Sequence, residues 1–252
     1  MRDPVHAMAS ADILLPALLF GSAALYTSVG HAGASAYLAS MALVGLAPET
    51  MRPTALVLNI CVASFSAIRF WRAGLVDARL AAWLLAGAAP LAFLGGAIKL
   101  PGEIYRPLVG VLLIVAAIRL LLPLEVATNR DPKPPPPALA ALTGAAIGLL
   151  SGLTGTGGGI FLSPILIFCG WAATRNASGI AITFILCNSV FGLLGNLALV
   201  QRLPSALPIY LAAAMAGALV GTALGVKRLP SGMILKALGA VLVIAGLKLI
   251  FT

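Results

Sequence analysis

Long apolar runs separated by short polar punctuation are the first feature of this chain. Ten can be marked, at 12–29, 33–46, 53–71, 79–98, 104–123, 138–154, 158–171, 177–200, 207–226 and 231–251. None of them alternates with the period of two that a lipid-facing β-strand requires, and stretches such as Leu108–Leu122 are apolar throughout. Most reach the ~20 residues that a helix needs to cross a bilayer. Asp12–Val29 follows a short terminal stretch carrying Arg2 and resembles a signal peptide only in outline; it reads as a retained first span. The pattern predicts an all-α membrane protein of about ten transmembrane segments.

One interruption is of a different kind. Leu124–Pro137 holds Asn129-Arg130-Asp131-Pro132-Lys133 and four consecutive prolines, which fix an extended backbone without amide hydrogens. It divides the chain into a first membrane unit at 1–123, a Pro-rich linker at 124–137 and a second membrane unit at 138–252. The halves repeat. Leu100–Leu122 aligns without a gap on Leu229–Phe251 at an offset of 129, with six identities in 23 positions. Gly30-His31-Ala32-Gly33-Ala34 corresponds to Gly155-Thr156-Gly157-Gly158-Gly159 at an offset of 125. Two tandem copies of one five-segment unit account for both matches.

Composition narrows the class. Of the 252 residues 61% are hydrophobic and 9% charged, with mean hydropathy +1.07, so the chain cannot hide its apolar surface in its own core. The net charge of +9 would suggest nucleic acid in a soluble protein. Here the sixteen Lys and Arg stand singly at segment ends, where they set topology and meet anionic lipid. Counting all five segments of a unit as crossings puts ten Lys/Arg on one side and six on the other. Treating each short second segment as re-entrant gives nine against seven. The positive-inside rule on these counts favours inverted repeats with both termini outside. Cys61, Cys169 and Cys187 lack metal or redox spacing and read as small buried hydrophobes, and no metal or cofactor is expected.

Candidate chemistry lies in the second segment of each unit. Gly33–Leu46 and Gly158–Trp171 are too short for the ~30 Å hydrocarbon layer, and each follows a glycine-rich break. Glycine lets the backbone leave helical geometry, and the helix that restarts presents free amides and the positive end of its dipole to an anion. Paired breaks of this kind point to a transporter's site. The candidate substrate-binding residues are Gly30, His31 and Gly33 in the first break, Gly155, Thr156, Gly157, Gly158 and Gly159 in the second, and Asn59, Asn188 and Ser189 within apolar segments. His31 either contacts a neighbouring helix or serves substrate or proton. The asparagines either bind ligand or bridge helices. Arg52 and Arg175, each following a short segment, mark topology or flank the mouth of an anion path. Gly144/Gly148/Gly152 and Gly217/Gly221/Gly225, spaced by four, read as helix-packing stripes. Trp71, Trp83, Trp171 and Tyr210 read as interfacial anchors.

The run Gly152-Leu153-Thr154-Gly155-Thr156-Gly157-Gly158-Gly159, the following Ser163-Pro164 and Asn188-Ser189-Val190-Phe191-Gly192-Leu193 resemble the second repeat of the sulfite exporter TauE/SafE permease family. Gly30-His31-Ala32-Gly33 and Arg52-Pro53-Thr54-Ala55-Leu56-Val57-Leu58-Asn59 resemble its first. One departure is Gly179-Ile180-Ala181, where the family's eighth helix opens on Gly-Thr-Ser. The resemblance implies a bacterial inner-membrane permease for small, often sulfur-containing anions such as sulfite or sulfonates.

The expectation is a secondary transporter of small anions, not an enzyme. Its partners would be an anionic substrate and the lipid bilayer, with a homodimer left open and nucleic acid argued against. A carboxylate transporter and a non-transporting integral membrane subunit are the alternatives.

Overall fold

The computed structural model describes residues 4–28, 31–121, 132–197, 203–225 and 231–251. Ten helices follow in order: α1 Pro4–Ser28, α2 Ala34–Leu43, α3 Pro48–Arg72, α4 Ala78–Ala97, α5 Gly102–Leu121, α6 Pro137–Thr154, α7 Gly159–Phe168, α8 Thr174–Gly195, α9 Leu207–Gly225 and α10 Ser231–Phe251. No strand occurs among the described residues. Four stretches, Pro48–Arg72, Ala78–Ala97, Pro137–Thr154 and Arg175–Gly195, are each long and apolar enough to cross a membrane. Large apolar side chains such as Leu142, Ile209 and Phe251 point outward, as a lipid solvent requires.

Three details differ from the apolar pattern, the first being the cysteines: Cys169 is exposed, and Cys61 and Cys187 are only partly buried. The first helix begins at Pro4, so Asp12 lies within α1 rather than at its start. Tyr210 is buried in the core beside Ala214 and Leu242 instead of standing at an interface. The other described acids stay at helix ends. Glu49 and Glu103 sit in the first turns of α3 and α5, and Asp77 caps α4 by accepting from the amides of Arg79 and Leu80, both at 3.0 Å. Most of the 124–137 linker and the Leu229-Pro230 pair lie outside the described residues.

The glycine stripes explain how the long helices pair. On α6, Gly144, Gly148 and Gly152 lie against the backbone of Leu84, Ala88 and Ala92 on α4, a constant offset of 60, so the two helices run parallel. On α9, Gly217 and Gly221 lie in the same way on Phe20 and Ala24 of α1. The surroundings of Gly225 are outside the described part. A side chain at any of these positions would strike a carbonyl oxygen of the partner helix. This is close backbone approach, in which dispersion replaces the hydrophobic force that lipid removes.

The remaining pairs run the other way. Gly110 of α5 meets Gly246 of α10 while Gly239 meets Ala117 and Leu121, so these helices are antiparallel. On α3 and α8, Leu56 lies near Gly192 whereas the Trp71 indole N–H donates to Thr183 Oγ1 at 3.1 Å, again antiparallel. The helix pairings α1–α9, α4–α6, α3–α8 and α5–α10 are unchanged when the numbers of the first five helices are exchanged with those of the last five.

The short helices fold back on their predecessors. Tyr26 and Ser22 of α1 bond to Ser35 and Ser40 of α2, in reversed order. Lys133, just ahead of α6, donates its amide to the carbonyl of Gly170, just after α7. Each ten-residue helix covers about 15 Å, half the hydrocarbon thickness. Between α6 and α7, Gly155–Gly158 is non-helical and buried in the protein.

The packing reading makes a direct prediction. Gly148→Leu should force α4 and α6 apart and cost about 1–3 kcal/mol or more, seen as lost monodisperse protein after detergent extraction. Gly21→Ala, at a helical position with no atom within 4 Å of the added methyl, should leave yield unchanged or improve it.

Candidate functional site

The second break is built from backbone that only glycine adopts easily. Gly155 ends α6 at φ 81°, and Gly157 and Gly158 follow at φ 73° and 77°. With three left-handed residues in four, the chain climbs back between α3, α6 and α8 instead of continuing as a helix. Gly158 is the residue before α7, and no side chain caps that helix. Among the described residues the amides of Gly157, Gly158, Gly159 and Ile160 have no acceptor. A helix start normally satisfies these donors with a Ser, Thr, Asp or Asn side chain; here they are left open.

Three polar side chains close around this backbone. A methyl group at Gly157 would lie 3.1 Å from Asn59 Nδ2 and 3.5 Å from Ser189 Oγ; one at Gly158 would lie 3.3 Å from Asn188 Nδ2. Asn59, Asn188 and Ser189 are fully buried. Asn59 Nδ2 donates weakly to the Gly155 carbonyl at 3.5 Å, but its Oδ1 has no partner. Among the described residues neither end of the Asn188 side-chain amide has a hydrogen-bond partner, and Ser189 Oγ has none either. Each such group costs about 1–3 kcal/mol when left unsatisfied in a buried place. Asn59 and Asn188 are also separated by 129 residues, the offset that aligns Leu100 with Leu229. The sequence held that signal, but it emerges only when α3 and α8 are set side by side.

The first break is finished differently. Gly33, at φ 95°, precedes α2 without a side-chain cap, but the Tyr37 ring lies against it and the Tyr37 hydroxyl donates to the Ala32 carbonyl at 2.6 Å. The Tyr26 hydroxyl is bonded to Ser35. Gly30 lies outside the described residues. His31 reaches across to α7, with Nε2 at 2.9 Å from Ser163 Oγ. Ser163 Oγ also lies 3.1 Å from the Gly159 carbonyl; with its proton donated there, its oxygen accepts from a His31 ring protonated at Nε2. The two breaks are thus linked. The amides of Ala34, Ser35 and Ala36 at the start of α2 also have no acceptor among the described residues, so what sets the second break apart is its border of buried side chains with unpartnered atoms, Asn59, Asn188 and Ser189.

Other candidates fall in distinct places. Thr156 is buried with its hydroxyl 3.0 Å from that of Thr154, and Gly159 packs on Ile185. Arg175 is exposed in the first turn of α8, at the opposite end of that helix from Asn188. Arg52 is not a loop cation. It sits in α3, 3% exposed, and donates Nη1 to the Ile98 carbonyl at 2.9 Å and Nη2 to those of Gly95 and Gly96, both at 2.6 Å. These are orphan carbonyls at the negative end of α4, so Arg52 caps that helix. Its Nε is unpartnered, and its backbone packs on Gly155. Tyr105, not singled out by the pattern, donates its hydroxyl to the Thr154 carbonyl at 3.0 Å and secures the other flank of the break.

Interrupted helices enclosing buried, unsatisfied amides and hydroxyls define the chain as a multi-pass helical membrane protein with an internal polar site. Comparison with known proteins makes the class particular. The family model described as sulfite exporter TauE/SafE matches residues 14–249, and the chain belongs to that family of membrane transporters. It is 37% identical over 235 residues to a protein of Sinorhizobium fredii (strain NBRC 101917 / NGR234) called probable membrane transporter protein y4hK; the alignment covers 92% of this chain and 95% of that protein. No solved structure matches.

The unpartnered amide gives a stability prediction. Asn188→Leu, with the same number of side-chain heavy atoms and no orphan polar atoms, should keep or raise the thermal midpoint of the purified protein. A fall comparable to that of Gly148→Leu would mean that Asn188 holds helices together.

Proposed function

We propose that the chain is a secondary transporter of small anions, sulfur-containing oxyanions such as sulfite or sulfonates above all, held at the second glycine break. The observation that supports this reading is the convergence of two donor sets. Four amides at the start of α7 lack acceptors, and the buried Asn59, Asn188 and Ser189 beside them retain unused hydrogen-bonding atoms. An oxyanion accepts hydrogen bonds only, and a helix N-terminus favours negative charge. Ser189 and the asparagine N–H groups add donors that can turn toward it. No acidic residue occurs in the sequence of α3, α6, α7 or α8 within reach of this place, Glu49 being ten residues before Asn59. A cation would find no countercharge there.

The architecture supports a transport cycle of a known physical kind. We read 1–123 and 138–252 as inverted repeats, because the corresponding helices α3 and α8, and α5 and α10, pack antiparallel. Rocking of one unit against the other about a central site would expose it to either side in turn. The His31–Ser163 bond joins the two short helices, and protonation of His31 offers a route for proton coupling. The family and the bacterial source of the y4hK relative support placement in a bacterial inner membrane. The substrate class rests on the family name together with the donor-rich, acid-free site.

Counterflow in proteoliposomes tests the reading. Preloaded sulfite or a small sulfonate should drive uptake of its radiolabelled form; exchange of carboxylates alone would move the substrate class, and failure of every small anion with monodisperse protein would defeat the transporter reading. Gly158→Leu, entering a left-handed position against Ile147, Phe184 and Asn188, should abolish exchange, whereas Gly221→Leu should chiefly lower yield. Surviving Gly158→Leu protein with full activity would reduce the break to packing.

A further inference from the structure

The six cations on the sparse side of the topology are Arg2, Arg52, Lys99, Arg106, Arg202 and Lys248. Charge that only sets topology belongs on the other side, where ten are found. Yet three of these six line one open cavity of about 460 Å³, walled by the start of α3, the α4–α5 connection and the first turns of α5. Arg52, Lys99 and Arg106 bring three positive charges, against Glu49 as its one acid; Glu103 lines the neighbouring groove beside Pro107 and Ile250, which Gly102 and Arg106 border as well.

This cavity adjoins the break. Arg52 lines it and also packs on Gly155, and Tyr105 lines it and bonds to the Thr154 carbonyl. Arg52 is buried with two nitrogens committed to the end of α4, while its Nε has no partner. Asn59 lies two helical turns further along α3, about 10 Å deeper. On α3, the buried Arg52 guanidinium with its spare donor stands between the cationic mouth and Asn59 at the acid-free break.

We propose that this cavity is a second, outer anion site: a vestibule that gathers small oxyanions from water and passes them by Arg52 to the glycine break. Lys99 and Arg106 supply the field, which low-dielectric walls focus. Arg52 cannot leave without uncapping α4, so it is a fixed station rather than a swinging arm. The inference rests on reading the break as an anion site, but its test does not require transport.

Gly102 lines the cavity, and a methyl group there would meet only Pro48 Cγ at 3.9 Å. Gly102→Cys, with Cys61, Cys169 and Cys187 replaced by Ala, therefore places a thiol in the vestibule. Its rates of modification by the anionic sulfonatoethyl and the cationic trimethylammonioethyl methanethiosulfonates should be compared in purified protein. The anionic-to-cationic rate ratio should exceed that of a free small thiol by about 10-fold. It should fall toward the free-thiol value in Lys99→Gln/Arg106→Gln, and equally in 0.5 M KCl, which needs no further substitution. A ratio equal to that of free thiol at low salt, or one indifferent to both salt and the charge-neutralising pair, would overturn the vestibule. Failed counterflow with an intact labelling ratio would instead condemn the break as the transported anion's site.

Discussion

Inside the hydrocarbon layer a backbone N–H or C=O has no water to fall back on, and every part of this structure answers to that constraint. Eight helices satisfy their polar groups internally along most of their length. The short α2 and α7 each start from a left-handed glycine without a side-chain cap, and the chain between α6 and α7 is non-helical. Such chain survives at membrane depth only when protein surrounds it. The buried setting of Gly155–Gly158, closed in by α3, α6 and α8, is therefore a condition for its existence and not an ornament of it.

The enclosure depends on glycines away from the break. The α4–α6 and α1–α9 pairs approach so closely that a methyl group at the contact positions would strike a carbonyl. With α4 and α6 locked in parallel register, the end of α4 is held beside the break, where Arg52 satisfies its last carbonyls. Three charge-assisted bonds, each worth about 1.5–3 kcal/mol, explain how a guanidinium without a described acidic partner is kept in so apolar a place. Tyr105 holds the carbonyl of Thr154 from the other side. Packing, capping and the break thus form one unit.

The two halves share architecture but have diverged in chemistry. Each carries a left-handed glycine before a ten-residue helix and an asparagine at matching register. In the first half tyrosine hydroxyls bond to Ser35 and to the Ala32 carbonyl, and the Tyr37 ring lies against Gly33; at the second break Asn59, Asn188 and Ser189 keep side-chain atoms without a described partner. A buried polar cluster left unsatisfied lowers stability, which is the usual mark of a place kept for something other than folding. This contrast carries the reading of the second break as the anion site.

Much was determined by the sequence alone. Apolar run length and the lack of period-two alternation dictated helices in lipid, since a span of ~20 apolar residues has no other stable form there. Glycine spacing dictated both the packing stripes and the breaks, because glycine's lack of a Cβ acts locally. Its position in the chain also suggested the repeat. What only tertiary structure decided were relations between residues far apart: Arg52 against the last carbonyls of α4, Asn59 and Asn188 brought to one break, His31 reaching Ser163, and Arg106 joining Arg52 in one cavity. A single cation or amide in an apolar sequence carries no mark of its partner. The energy that gives it a role comes from groups that only the packed helices bring within reach.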